Sequence, residues 1–459
     1  MRFPRLAVFL VVPLLAGAQN PAAGMHKEAV AYLSALVKID TSNPPGNETR
    51  AAQYIKQVLA REGIDSEIFE SAPGRGNLVA RLKGSGAKKP LLLMGHLDVV
   101  GVERNKWTVD PFAALVRDGF LYGRGSVDDK SMDAANLAVF LRLKREDAAL
   151  DRDIILLAEA GEEGTSQYGV DYMVAQHWDA IACEYALNEG GTFLIGDDGR
   201  VKYTAIETTE KVPRTMKLVA HGTSGHGSMP RLDNAVVHLG GAVAKVGSTQ
   251  QPMRLNETTR TFFERLAKIS PPAQAYLYTH LEDPQAQAKL QQTNILYNSM
   301  LRTSIVPTII KGGFRENVIP AEAEAELDVR ALPDENIEAL MARLRELIND
   351  PAVTVERDQH GPERPANPAS SIHNEMFAAL EHAQKQVFPE AITLPLMQTG
   401  ATDSAQLRAK GVQAYGIEVP FADEELHRMH GNDERVSVEA MGKFADYIYA
   451  AVKEVAGKQ

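Results

Sequence analysis

The chain has 459 residues, too many for one ordinary hydrophobic core, so two domains is the default expectation. Hydrophobic residues make up 44% and charged residues 24%, a globular composition, and there is no low-complexity tract or short repeat to suggest disorder or a solenoid. The formal net charge of −11 repels phosphate backbones and argues against nucleic acid as a partner.

The N-terminus differs from the rest. Arg2 and Arg5 precede an apolar run from Leu6 to Leu15, and Ala16-Gly17-Ala18 supplies small residues at the spacing of a signal-peptidase site. Spanning a bilayer takes roughly 20 apolar residues, more than this run provides. Residues 1–18 are therefore expected to be a cleaved signal peptide, with an uncleaved anchor as the alternative. The mature protein is expected in the periplasm or medium, without stable membrane insertion. Cys183 is the only cysteine, which rules out an intramolecular disulfide and a cysteine-rich zinc site. Zinc would have to be held by His and carboxylates, the ligand types of catalytic zinc.

In chain order, His26–Asp40 and Asn47–Glu62 have helical spacing, separated by the breaker Asn43-Pro44-Pro45-Gly46. Ile64–Glu70 and Asn77–Leu82 read as strands. Pro90–Met94 and Ile154–Ala158 are short apolar runs, as buried sheet strands are, with helical Ala134–Lys144 between them. This alternation predicts an α/β sheet sandwiched by helices. After about residue 210 the pattern changes. A strand at Thr215–Ala220, a helix at Asn234–Val246, an alternating strand within Val318–Arg330, a helix at Asn336–Ile348 and a strand at Val353–Glu356 predict a smaller α+β insert. The first domain is then discontinuous, 25–210 and 359–456, with the insert at 211–358 and a last helix at Val438–Val455. Residues 250–300 contain helical pieces and Pro271-Pro272, and are taken as an extension of the insert.

The chemistry-bearing segments recur after buried strands, where α/β sheets place their sites. Gly95-His96-Leu97-Asp98 follows the first apolar run. An imidazole there can bind metal through one nitrogen while Asp98 accepts from the other. Tyr122-Gly123-Arg124-Gly125-Ser126-Val127-Asp128-Asp129-Lys130 delivers adjacent carboxylates to a helix start. Gly161-Glu162-Glu163-Gly164 and Asn188-Glu189-Gly190-Gly191 follow two more apolar runs, and His430-Gly431-Asn432-Asp433-Glu434-Arg435 lies near the C-terminus. Singly, each also fits a polar turn or a helix cap. Together they supply the ligands for two metal ions sharing a carboxylate.

This ordered set resembles the dizinc exopeptidase superfamily of glutamate carboxypeptidase, carboxypeptidase S, aminoacylase, carnosinase and succinyl-diaminopimelate desuccinylase. The resemblance runs from about residue 27 to 455. It implies a zinc-exopeptidase-like sheet with an inserted lid and dimerisation domain, and two zinc ions per chain, with cobalt as a possible substitute. Carried over by position, His96 would bind the first zinc with Asp98 orienting it. Asp128 would bridge both ions, with a cis peptide to Asp129. Glu162 would be the general base, Glu163 and His430 would complete the second zinc, and Glu189 the first. Many relatives have Met where this chain has Asp129, and the carboxypeptidase S type has Asp at the position of Asn188. In the insert, His226 resembles the lid residue that reaches the neighbouring subunit's site to polarise the scissile carbonyl. Asn317 and Arg330 resemble lid residues that hold substrate, and Gly400 resembles a loop residue near the substrate carboxylate. The implied protein is a homodimeric metallocarboxypeptidase or N-acyl-amino-acid hydrolase acting next to a free carboxylate. A dipeptidase and a deacylase of one biosynthetic intermediate are the alternatives. A non-catalytic relative would be expected to lose Glu162 or a ligand, and none is lost.

Overall fold

The computed structural model describes residues 21–196, 198–358 and 363–458. The signal-peptide segment 1–18 lies outside them.

The larger unit is built on a nine-stranded mixed sheet. At its centre Leu91–His96 runs parallel to Ile154–Glu159 on one side and to Tyr185–Asn188 on the other, and Gln413–Gly416 continues the parallel set. Arg75–Leu82 and Ser66–Ala72 extend one edge antiparallel. Val201–Glu210, flanked by Thr192–Ile195 and Ile392–Gln398, forms the other. Because side chains alternate across a strand, Leu91 and Leu93 face one helical layer while Leu92 and Met94 face the other. Both faces are covered, which is why these strands read as unbroken apolar runs. One layer holds Pro21–Val37, Lys130–Arg145, Glu375–Val387 and Val438–Ala456; the other holds Val170–Gln176 and Ser404–Ala409.

The insert has its own core. Met216–His221, Ser304–Gly312, Glu322–Ala331 and Val353–Arg357 form a sheet covered on one face by Ala235–Ser248 and Ile337–Ile348. Glu322–Ala331 alternates buried and solvent-facing residues along its length, as its Ala-Glu repeat predicts. It is the alternating strand expected within residues 318–330, and Pro320 separates it from the short strand Val318–Ile319.

Residues 257–300 differ from the expectation. They form four helices, Glu257–Ala267, Pro272–Thr279, Pro284–Thr293 and Ile295–Met300. Phe262, Phe263, Leu266 and Leu290 pack with Tyr203, Leu394 and Leu396 of the large sheet, and not with the core of the insert. The physical reason is the face they cover. Val201–Glu210 and Ile392–Gln398 lie at the end of the sheet and need a helical layer of their own.

Candidate active site

Three neighbouring parallel strands end at the site. Leu91–His96 ends on His96, Ile154–Glu159 leads into Glu162 and Glu163, and Tyr185–Asn188 leads into Glu189. The loop carrying Asp128 is held by the C-terminal motif. The buried Glu434 carboxylate accepts the main-chain N–H groups of Gly125, Val127 and Asp128 at 3.1, 2.8 and 3.2 Å, and pairs with Arg124 at 2.5 Å. The Asp128–Asp129 peptide is cis. At the next strand end, Gly190 has a φ of +114°, and a Cβ there would lie 1.9 Å from Glu207 Oε2, so only glycine fits.

His96 Nδ1 lies 3.0 Å from the Asp98 carbonyl oxygen, an acceptor that places the ring proton on Nδ1. In the neutral ring the Nε2 lone pair then faces Asp128 Oδ1 at 3.0 Å, with Glu189 Oε2 at 3.9 Å. On the other side His430 Nε2 lies 2.9 Å from both Asp128 Oδ2 and Glu163 Oε1. Asp128 thus turns one oxygen to each imidazole. Converging acceptors repel unless a cation, proton or metal, lies among them. Ligand atoms of His96, Asp128 and Glu163 lie within 4.8 Å of one another, as do those of His96, Glu162 and Glu189. Imidazole and carboxylate donors at this spacing fit zinc or cobalt.

The electrostatics agree with a cation site. Burial opposes charge on His96, but its bonds to Asp128 and Asp98 outweigh that and hold its pKa well above the usual imidazole value. Bonds to Asp128 and Glu163 push His430 up to about 10. Burial raises the Glu162 and Glu189 carboxyls, reinforced by Asp403 for Glu162 and by Glu162 for Glu189. A dication among them reverses that preference and favours the ionised forms.

These residues open into a cavity of about 370 Å³. Asp128, Glu162, Glu163, Glu189 and His430 line one end; Phe262, Leu296, Tyr297, Leu396, Met397 and Phe421 form an apolar wall. Gly400 lines it too. The lid residues stand apart. Gly225–His226 pairs with Val318–Ile319, which brings His226 beside Asn317. The Ser228 N–H donates to His226 Nδ1 at 3.1 Å, so a neutral ring carries its proton on the exposed Nε2. Arg330 Nε donates to Asp328 at 2.9 Å. His226, Asn317 and Arg330 are not among the residues lining the cavity.

Several site residues escaped the sequence reading. Glu418 lines the cavity two residues after the buried strand Gln413–Gly416, the same strand-end signal that marked Glu189. Asp403 belongs to the segment of Gly400 but is fully buried, within 3.9 Å of Arg364. Arg364 lies in an irregular stretch with no pattern to single it out.

A family model described as Peptidase family M20/M25/M40 matches residues 92–454. Among curated proteins the chain is 27% identical to a human N-fatty-acyl-amino acid synthase/hydrolase, over 97% of this chain and 94% of that protein. It is 28% identical to a probable carboxypeptidase S-like protein of Dictyostelium discoideum, over 82% and 74%. Among solved structures, an M20 family metallo-carboxypeptidase from Sulfolobus solfataricus superposes with a TM-score of 0.70 at 18% identity, covering 93% of this chain and 99% of that one. Human carnosine dipeptidase 1 superposes with a TM-score of 0.64 at 17% identity, covering 94% and 97%.

Proposed function

The chain belongs to peptidase family M20/M25/M40 and is a metal-dependent hydrolase; from that premise we propose that it hydrolyses the amide bond between an apolar acyl group and an amino acid with a free carboxylate. The observation that carries this reading is the cavity, which joins a His and carboxylate cluster to the apolar wall of Phe262, Leu296, Tyr297 and Phe421. The name of the human relative points the same way. A peptide substrate, as in a carboxypeptidase or dipeptidase, is the alternative.

His96, Asp128 and Glu189 would hold one zinc ion and His430, Asp128 and Glu163 a second, with cobalt as a substitute. Such a pair supplies a water of lowered pKa and Lewis-acid polarisation. Glu162 takes the proton from the attacking water and passes it to the leaving nitrogen. His226 donates Nε2–H to the developing oxyanion. Because His226 does not line its own cavity, it would serve a second subunit, which makes the protein a homodimer. Support for that assembly comes from an apolar strip on the insert: Val236 and Val237 of the helix beside Val306, Ile309 and Ile310 of the edge strand, all at least 44% exposed. Export, by the N-terminal sequence, would leave a mature N-terminus near Gln19, which N-terminal sequencing checks.

The test is a release assay on N-acyl-amino acids of increasing chain length and on dipeptides, with and without added zinc. Zinc-dependent release that increases with acyl length is expected. Turnover confined to dipeptides would assign the peptidase alternative.

A further inference from the structure

Arg364 lies where the chain returns from the insert to the large sheet, six residues before Ser370. Its Nη1 donates to the Thr402 carbonyl at 2.7 Å, which fixes the guanidinium against the loop carrying Gly400. Its Nη2 lies 3.7 Å from Glu162 Oε1 and 3.9 Å from Asp403 Oδ1. Both separations exceed hydrogen-bond length, so the carboxylates attract this end without occupying its protons. The side chain is 21% exposed and lies beside the cavity residues Glu162 and Thr402.

Asp128, Glu162, Glu163, Glu189 and Glu418 all line the cavity. The metal ions proposed above would offset Asp128, Glu163 and Glu189, which leaves Glu162 and Glu418 to oppose an anion. A substrate carboxylate entering such a field needs a cation of its own. Arg330 of the insert is paired with Asp328, and neither it nor Arg364 is among the residues lining the cavity, but Arg364 lies against Glu162 and Thr402, which are. Substrate connectivity sets where the cation must sit. In an N-acyl-amino acid the scissile nitrogen and the carboxylate are bonded to the same carbon. The group that protonates the nitrogen and the group that holds the carboxylate must therefore be neighbours, and Glu162 and Arg364 are.

We propose that Arg364 is a substrate-binding residue that receives the free carboxylate and presents the leaving nitrogen to Glu162. The inference rests on the function proposed above and names the residue that recognises its carboxylate. A guanidinium offers the carboxylate parallel N–H donors, and charge-assisted bonds of this kind are the stronger ones.

The test compares an N-acyl-amino acid with its carboxamide, as substrates and as competitive inhibitors, in zinc-loaded enzyme. Wild type is expected to favour the acid. Arg364→Ala should lower kcat/KM for the acid by roughly 10- to 100-fold, the scale of a lost charged hydrogen bond, and leave the carboxamide within about threefold. Arg364→Lys should recover part of the loss, and zinc content should stay unchanged. Equal losses on both compounds would make Arg364 a support for Glu162 and overturn the inference. So would a preference for the acid that survives Arg364→Ala and disappears in Arg330→Ala; the proposed function would then stand. A wild type indifferent to the carboxylate would overturn that function as well.

Discussion

Asp98 Oδ1 accepts the main-chain N–H of Glu162 at 3.1 Å, so the residue after one strand shapes the turn after its neighbour. The same carboxylate accepts from Gly161 at 2.9 Å, Glu163 at 3.2 Å and Asn43 Nδ2 at 2.8 Å. It is fully buried. His96 is held by the Asp98 carbonyl, at 3.0 Å, more closely than by its carboxylate at 3.5 Å. Asp98 thus positions both acids of the turn as well as the imidazole.

Asp98→Ala should therefore lower metal affinity, by roughly the 10- to 100-fold typical of groups behind a ligand. Zinc titration against a competing chelator measures this. Unchanged affinity with a normal fold would show that the turn holds its shape without Asp98.

Arg408 is buried with Glu207 at 2.7 Å and Glu210 at 3.4 Å, and Glu210 in turn accepts from Thr402 Oγ1 at 2.8 Å. Removing the cation leaves two carboxylates in the interior. Arg408→Met should cost about 3–5 kcal/mol of stability, read as a lower denaturant midpoint. Activity should fall too, because Thr402 lines the cavity.

Lys211 begins the insert, buried, its Nζ donating to Ser299 at 3.0 Å and Ser304 at 2.9 Å. Burial, then the nearby Arg330 and Arg302, push its pKa down to about 7, while Asp328 opposes. Between that value and the ordinary lysine range near ~10.4, the unfolded chain holds more protons than the native one. Stability from this group therefore grows as pH rises through that window and is lost as pH falls. Wild type should gain on Lys211→Met by on the order of a few kcal/mol between about pH 7 and 10, measured by unfolding at each pH. A constant difference would contradict the shift.

The assembly has its own check. Mixing His226→Ala chains with Glu162→Ala chains should restore part of the lost activity, because each heterodimer would hold one intact site. A fully active monomer would contradict this.

Much of the site was legible because His96, Glu162, Glu163 and Glu189 follow apolar runs, and strand ends are fixed by the sheet. The alternation in Glu322–Ala331 gave the buried face of the insert for the same local reason. Residues 257–300 were misplaced because helical spacing shows that a face is apolar and not which surface it meets. Arg364 was invisible since its neighbours, Glu162 and Thr402, are distant in sequence.

The central claim is that adjacent Glu162 and Glu163 do different work, proton transfer and metal binding. Zinc content and turnover measured together on Glu162→Ala and Glu163→Ala test it most directly. Glu162→Ala should keep both ions and substrate affinity while turnover falls by about 10²–10⁴-fold. Glu163→Ala should lose one ion, with partial rescue by excess zinc. Loss of zinc from Glu162→Ala with retention in Glu163→Ala would reverse the assignment, and full activity in both would contradict the dizinc account.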